Sequence, residues 1–92
     1  MVSIIENSAL VHGLVNSCSA EPDIKGFCEI SLKLITSTDL NGMPNLARAD
    51  EGKDVRVKIR EDKLRSLNVQ PGSEITIAVR KAFGQIYFLQ EQ

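Results

Sequence analysis

The sequence predicts a small, mainly β domain: a barrel of about five strands with one short helix at residues about 61–68. Three observations carry this. Apolar and polar residues alternate with a period of two in several separate runs, as in strands buried on one face. Clusters of Pro, Gly, Asn and Asp, the residues that turns favour, separate these runs. The period changes once, after Arg60, where Leu64 and Leu67 are spaced i, i+3.

Phe27 to Ile35 is the clearest strand. Cys28, Ile30, Leu32 and Leu34 fall on one face, with Glu29, Ser31 and Lys33 on the other. Before it, Ala9 to Cys18 alternates less cleanly, and Gly13 inside it suggests a bulge or a close backbone approach. Ala20 to Gly26 reads as the turn between them, centred near Asp23, which would make Cys18 and Cys28 cross-strand neighbours. Two reduced, buried thiols suit that placement better than a disulfide, because nothing marks export. Lys53 to Arg60 alternates again, with Val55, Val57 and Ile59 inward and Asp54, Arg56, Lys58 and Arg60 outward. Glu61 and Asp62 then open the helix, where the dipole welcomes acids, and Asn68 ends it. Pro71-Gly72 turns the chain into a strand with Ile75, Ile77 and Val79 on its apolar face. Phe83-Gly84 turns it again, and Ile86 to Leu89 is the last strand before the polar Gln90-Glu91-Gln92. Of the four aromatics, Phe27 and Tyr87 are expected to project outward and Phe88 inward. Residues 36–52, with Asn41-Gly42, Met43-Pro44 and Glu51-Gly52, read as one long loop, or as a segment hiding a short strand around Leu46–Ala49.

The totals bound the function. Ninety-two residues make one domain, 1–92, and 42% hydrophobic with 25% charged residues is globular rather than disordered composition. The net charge of −1 weighs against a dedicated nucleic-acid binder. The charge is uneven, however: residues 1–50 hold six acids and three bases, whereas residues 51–92 hold six acids and eight bases. No apolar run approaches the roughly 20 residues of a membrane span, so no membrane insertion is expected. Met1–Ile5 is too short for a signal-peptide core, and a cytoplasmic location is the expectation. That apolar start could also pair with a second subunit, which favours a homo-oligomer.

Val57-Lys58-Ile59, the helix Glu61–Leu67, Asn68-Val69-Gln70-Pro71-Gly72 and the strand Glu74–Arg80 together resemble the TOBE and molbindin domains. His12-Gly13-Leu14-Val15 followed by Phe27–Ile35 is similar to that family's opening hairpin. The resemblance implies an OB-like barrel, found attached to transporter ATPases or free-standing as an oxyanion binder. It points to Arg80, Lys81 and Gly84 as an anion site, although the family's hydroxyl residues are missing from that stretch. The segment Arg56 to Leu89 also resembles the AbrB-like swapped-hairpin DNA binders, in which Arg56, Lys58, Arg60 and Arg65 would meet DNA. The family's usual Pro after the first strand is here Arg60.

No catalytic constellation appears, and the expectation is a binding or accessory module, not an enzyme. Cys18 or Cys28 with His12 is the one conceivable nucleophile and base, and His12 stands six residues, about 20 Å of extended chain, from Cys18. The acid pairs Glu61-Asp62 and Asp50-Glu51 adjoin a helix start and a turn, which explains them without chemistry. One His and two separated Cys do not make a zinc site, and no cofactor or metal is expected. Arg56, Lys58 and Arg60 share one outward strand face. It is either a solvated edge or an anion-contacting stripe, joined by Lys33 or Arg80 and by one or two outward aromatics. Residues 36–52 are the alternative contact loop for a protein partner.

Overall fold

The computed structural model describes residues 6–20 and 24–90. The expectations for Met1–Ile5, for the centre of the first turn (21–23) and for 91–92 lie outside the described residues. Five strands, β1 (Ala9–Ala20), β2 (Phe27–Asp39), β3 (Asp54–Arg60), β4 (Glu74–Phe83) and β5 (Ile86–Leu89), close into one barrel in the order β1-β2-β3-β5-β4. The first half of β1 completes the circle by pairing with β4, and β3 and β5 run parallel while every other pair is antiparallel. One helix, α1 (Glu61–Leu67), connects β3 to β4. This is an OB-like barrel.

The alternation read from the sequence builds the core. Ile30, Leu32, Leu34, Val55, Val57 and Ile59 are all at most 1% exposed, joined by Val11 and Val15 from β1 and Val79 from β4. β1 must pair with two neighbours at once, which forces it to curve. Its register against β2 slips between His12 and Gly13 and again between Val15 and Ser17. Gly13 permits the first of these. A Cβ there would stand 2.6 Å from the Lys33 carbonyl oxygen and 2.8 Å from Leu32 Cγ, so the backbones approach only because no side chain intervenes.

The barrel is covered at both ends. At the Cys28 end, Leu64 of α1 and Val69 behind it pack on the core. The helix stops at Asn68, which adopts φ 52° and ψ 44°, a left-handed conformation that Asn tolerates better than most residues. At the Leu34 end lies the segment between β2 and β3. The long loop expected at 36–52 is shorter than that, because β2 runs on to Asp39. Around Leu46–Ala49 there is a turn and then a 3₁₀ turn at Arg48–Asp50, not a strand. β1 supplies the pairing that carries β2 so far, with Ala9 to His12 opposite Asp39 to Thr36, a long-range contact that local turn residues do not announce. The Glu51 carboxylate accepts bonds from the Ser37 amide (2.8 Å) and hydroxyl (2.7 Å), tying this segment to β2.

Two further expectations are corrected. Cys18 sits opposite Ile30 and Cys28 opposite Ala20, so the two thiols are diagonal rather than direct neighbours, and both are free. From Cys18 to the turn the pairing is unbroken and symmetric about position 24, not about Asp23 as expected, and that one-residue offset moves each cysteine two places from the other's partner. The facing of β5 is also the reverse of that expected: Tyr87 is 1% exposed inside the barrel, and Phe88 stands on the outer face. β5 pairs Tyr87 with the inward Val57 and Phe88 with the outward Lys58, and that register decides which ring is buried.

Candidate functional site

Tyr87 is tolerated inside because a carboxylate waits for it. Its hydroxyl donates to Asp50 Oδ2 at 2.5 Å, and Lys81 Nζ reaches the same oxygen at 3.0 Å while lying 5.9 Å from the Tyr87 ring centre. Lys81 and Tyr87 face each other across β4 and β5, and Asp50, 4% exposed, closes over them from the 3₁₀ turn. Burial raises the Asp50 carboxyl pKa, but the hydrogen bonds from Tyr87 and Lys81 and the charges of Lys81 and Lys53 outweigh it, and the net shift is downward. Burial, and then the Asp50 carboxylate, raises the Tyr87 phenol well above its ordinary value. Asn7 completes the arrangement by accepting from the Lys81 amide (2.8 Å) and donating to its carbonyl (3.0 Å). The cluster ties the segment after β2 to the barrel wall.

The outer face of β2-β3-β5-β4 is organised in rows by the strand register. Glu29, Lys58, Phe88 and Arg80 form one row across all four strands. Ser31, Arg56, Ile86 and Phe83 form the next, and Phe27 pairs with Arg60 beyond the first. Phe27, Lys58, Arg60, Arg80, Phe88 and Leu89 line a common recess of about 310 Å³. Four cations thus share a face with two half-exposed phenyl rings, and Phe83, 68% exposed, stands at its margin. Glu29 lies among the cations, with Oε2 2.5 Å from Lys58 Nζ and Oε1 3.7 Å from Arg56 Nε. Arg60 pairs with Asp62 at 3.3 Å, and no carboxylate of the described residues pairs with Arg80.

The residues singled out in the sequence divide between these two places. Arg56, Lys58 and Arg60 lie together on the outer face, joined by Arg80. Arg65 is on α1, paired with Glu61 at 2.7 Å. Arg80, Lys81 and Gly84 do not converge. Arg80 points out, Lys81 reaches in to Asp50, and Gly84 lies in the exposed β4–β5 turn with φ 55°. Lys33 is exposed on β2 opposite Asp54, one step off the basic rows. Outward Arg80 was legible from the alternation of β4. The role of Phe88 was not, because two adjacent aromatics in a four-residue strand leave the facing open.

Elsewhere the titratable groups are arranged for structure. His12 is half-exposed, its Nδ1 2.8 Å from Thr76 Oγ1 and its Nε2 2.9 Å from Glu74 Oε1, on the outer face of β1 and β4. Burial, and then the Cys28 charge, raises the Cys18 thiol pKa, the opposite of what an activated nucleophile needs. Among the described residues no group of three His, Cys, Asp or Glu is placed to hold a metal ion, and no helix is long and apolar enough to cross a membrane. Comparison with protein-family models, with curated proteins and with solved structures returns no match.

Proposed function

We propose that this chain is a non-enzymatic binding module that takes single-stranded nucleic acid across the β2-β3-β5-β4 face. The supporting observation is the recess in which Phe27 and Phe88 stand among Lys58, Arg60 and Arg80. Flat, partly apolar rings beside guanidinium and ammonium groups suit a ligand with alternating planar bases and phosphates. Stacking contributes about 1–3 kcal/mol per base, and the cations contact the backbone. An OB-type barrel presents this side of its sheet to such ligands. A net charge of −1 and the presence of Glu29 in the row argue for modest affinity with a shallow salt dependence, set by about three phosphate contacts and a log–log slope near −2. A small-oxyanion site at Arg80, Lys81 and Gly84 is less favoured, because the Lys81 ammonium is held by Asp50. All five strands close within one chain, which favours a barrel surface over an exchanged-strand DNA binder.

Fluorescence anisotropy with labelled single-stranded DNA and RNA at low salt tests the reading. Phe88→Ala and Arg80→Ala are expected to weaken binding several-fold or more while melting remains cooperative. Glu29→Gln removes the acid between Lys58 and Arg56 and is expected to tighten binding and steepen its salt dependence. Absence of binding by any single strand at low salt refutes the proposal.

A further inference from the structure

One acid on this face does not fit phosphate contact. Asp54, at the start of β3, lines a second recess of about 400 Å³ with Ser31, Val55, Arg56, Gln85 and Ile86, in the row next to the Phe27–Phe88 recess. The backbone there is fixed, because the Arg56 amide donates to the Gln85 carbonyl at 2.9 Å and joins the β4–β5 turn to β3. The Asp54 side chain is exposed but oriented: Asn16 Nδ2 donates to its Oδ1 at 3.1 Å. A carboxylate repels phosphate and can only accept hydrogen bonds. Its natural counterpart on a nucleic-acid strand is therefore a base N–H edge. Ile86, half-exposed, provides an apolar wall for the face of a ring, and Ser31 and Gln85 stand at its polar rim.

The bases differ in what they offer a carboxylate. Guanine presents two adjacent donors, N1–H and the N2 amino group, which match the two oxygens of one carboxylate. Adenine and cytosine place a ring acceptor beside their amino group, and thymine or uracil flanks its N–H with two carbonyls, so each sets a lone pair against the second oxygen. Single-stranded bases are read on this edge because it is unpaired. Resting on the proposed single-strand binding, we infer that the Ser31–Asp54–Gln85 recess is a guanine-reading subsite, with the Asp54 carboxylate as the discriminating group.

The test places one guanine at successive positions of an otherwise thymidine oligonucleotide, which avoids self-association of guanine runs. Affinities are compared with adenine, cytosine and inosine at the same positions. Guanine at the best position is expected to tighten binding by about tenfold, a typical worth for a two-bond base contact. Inosine, which lacks the N2 amino group, is expected to lose most of the gain. Asp54→Asn is expected to abolish the preference while oligothymidine binding is retained or improved, since a negative charge leaves the face. Guanine no better than the other bases, with oligothymidine binding intact, overturns the subsite and leaves the single-strand reading standing. A preference that survives in Asp54→Asn also overturns it. Failure of every oligonucleotide to bind overturns both.

Discussion

Tyr87 is the sole tyrosine, so its ionisation can be followed without interference in the intact protein. A free tyrosine titrates near pH 10. Here burial and the Asp50 carboxylate oppose the phenolate, which would place a second negative charge against Asp50 Oδ2 where the hydroxyl now donates. The folded-state pKa is raised, so this residue's contribution is fully present below about pH 10 and is lost as pH rises further. Ultraviolet difference titration is expected to show no phenolate until the far-ultraviolet circular dichroism collapses, the two signals moving together. Tyr87→Phe keeps the ring and its packing and deletes only the hydroxyl. A hydrogen bond to a charged partner contributes about 1.5–3 kcal/mol, and Lys81 remains on Asp50, so a loss of about 2 kcal/mol is expected, lowering Tm by roughly 8–16 °C in a domain this size. Tyr87→Phe should also lose the part of alkaline unfolding that this residue causes. A phenolate that titrates near pH 10 in folded protein, or a Phe variant melting within about 2 °C of the parent, the scale of an inert surface change, would refute the buried-cluster argument.

Gly13→Ala forces a methyl against a backbone carbonyl at 2.6 Å and against Leu32, and neither can move without disturbing β2. A loss of about 1–3 kcal/mol is expected in urea unfolding, with an unchanged slope against denaturant. Asp50 has a folded-state pKa below its unfolded value, so its contribution is present above the ordinary carboxylate range and lost as pH falls through that lower value. Asp50→Asn is expected to be less stable than the parent at neutral pH but to lose less on acidification, which melting curves between pH 7 and about 3 would show.

Much of the fold was legible in the residue pattern. Alternation of Cys28, Ile30, Leu32 and Leu34, and of Val55, Val57 and Ile59, determined the strands and their buried faces. Arg56, Lys58 and Arg60 stand outward because their neighbours are apolar. Gly13 marked the close backbone approach, and the i, i+3 leucines marked the helix. These are local signals, set by the period of the backbone and by which side chains prefer water. Contacts between distant parts of the chain decided the rest. β2 extends to Asp39 because β1 pairs with it. Tyr87 turns inward because β5 is held in parallel register with β3 and because Asp50, 37 positions away in sequence, offers its hydroxyl an acceptor. Lys81 leaves the surface for the same carboxylate, and Phe27, Phe88 and Arg80 become one surface with Lys58 and Arg60 only when four strands lie side by side. A pattern along one strand fixes the direction of a side chain, whereas its neighbours depend on strand order and register, which emerge only when the barrel closes.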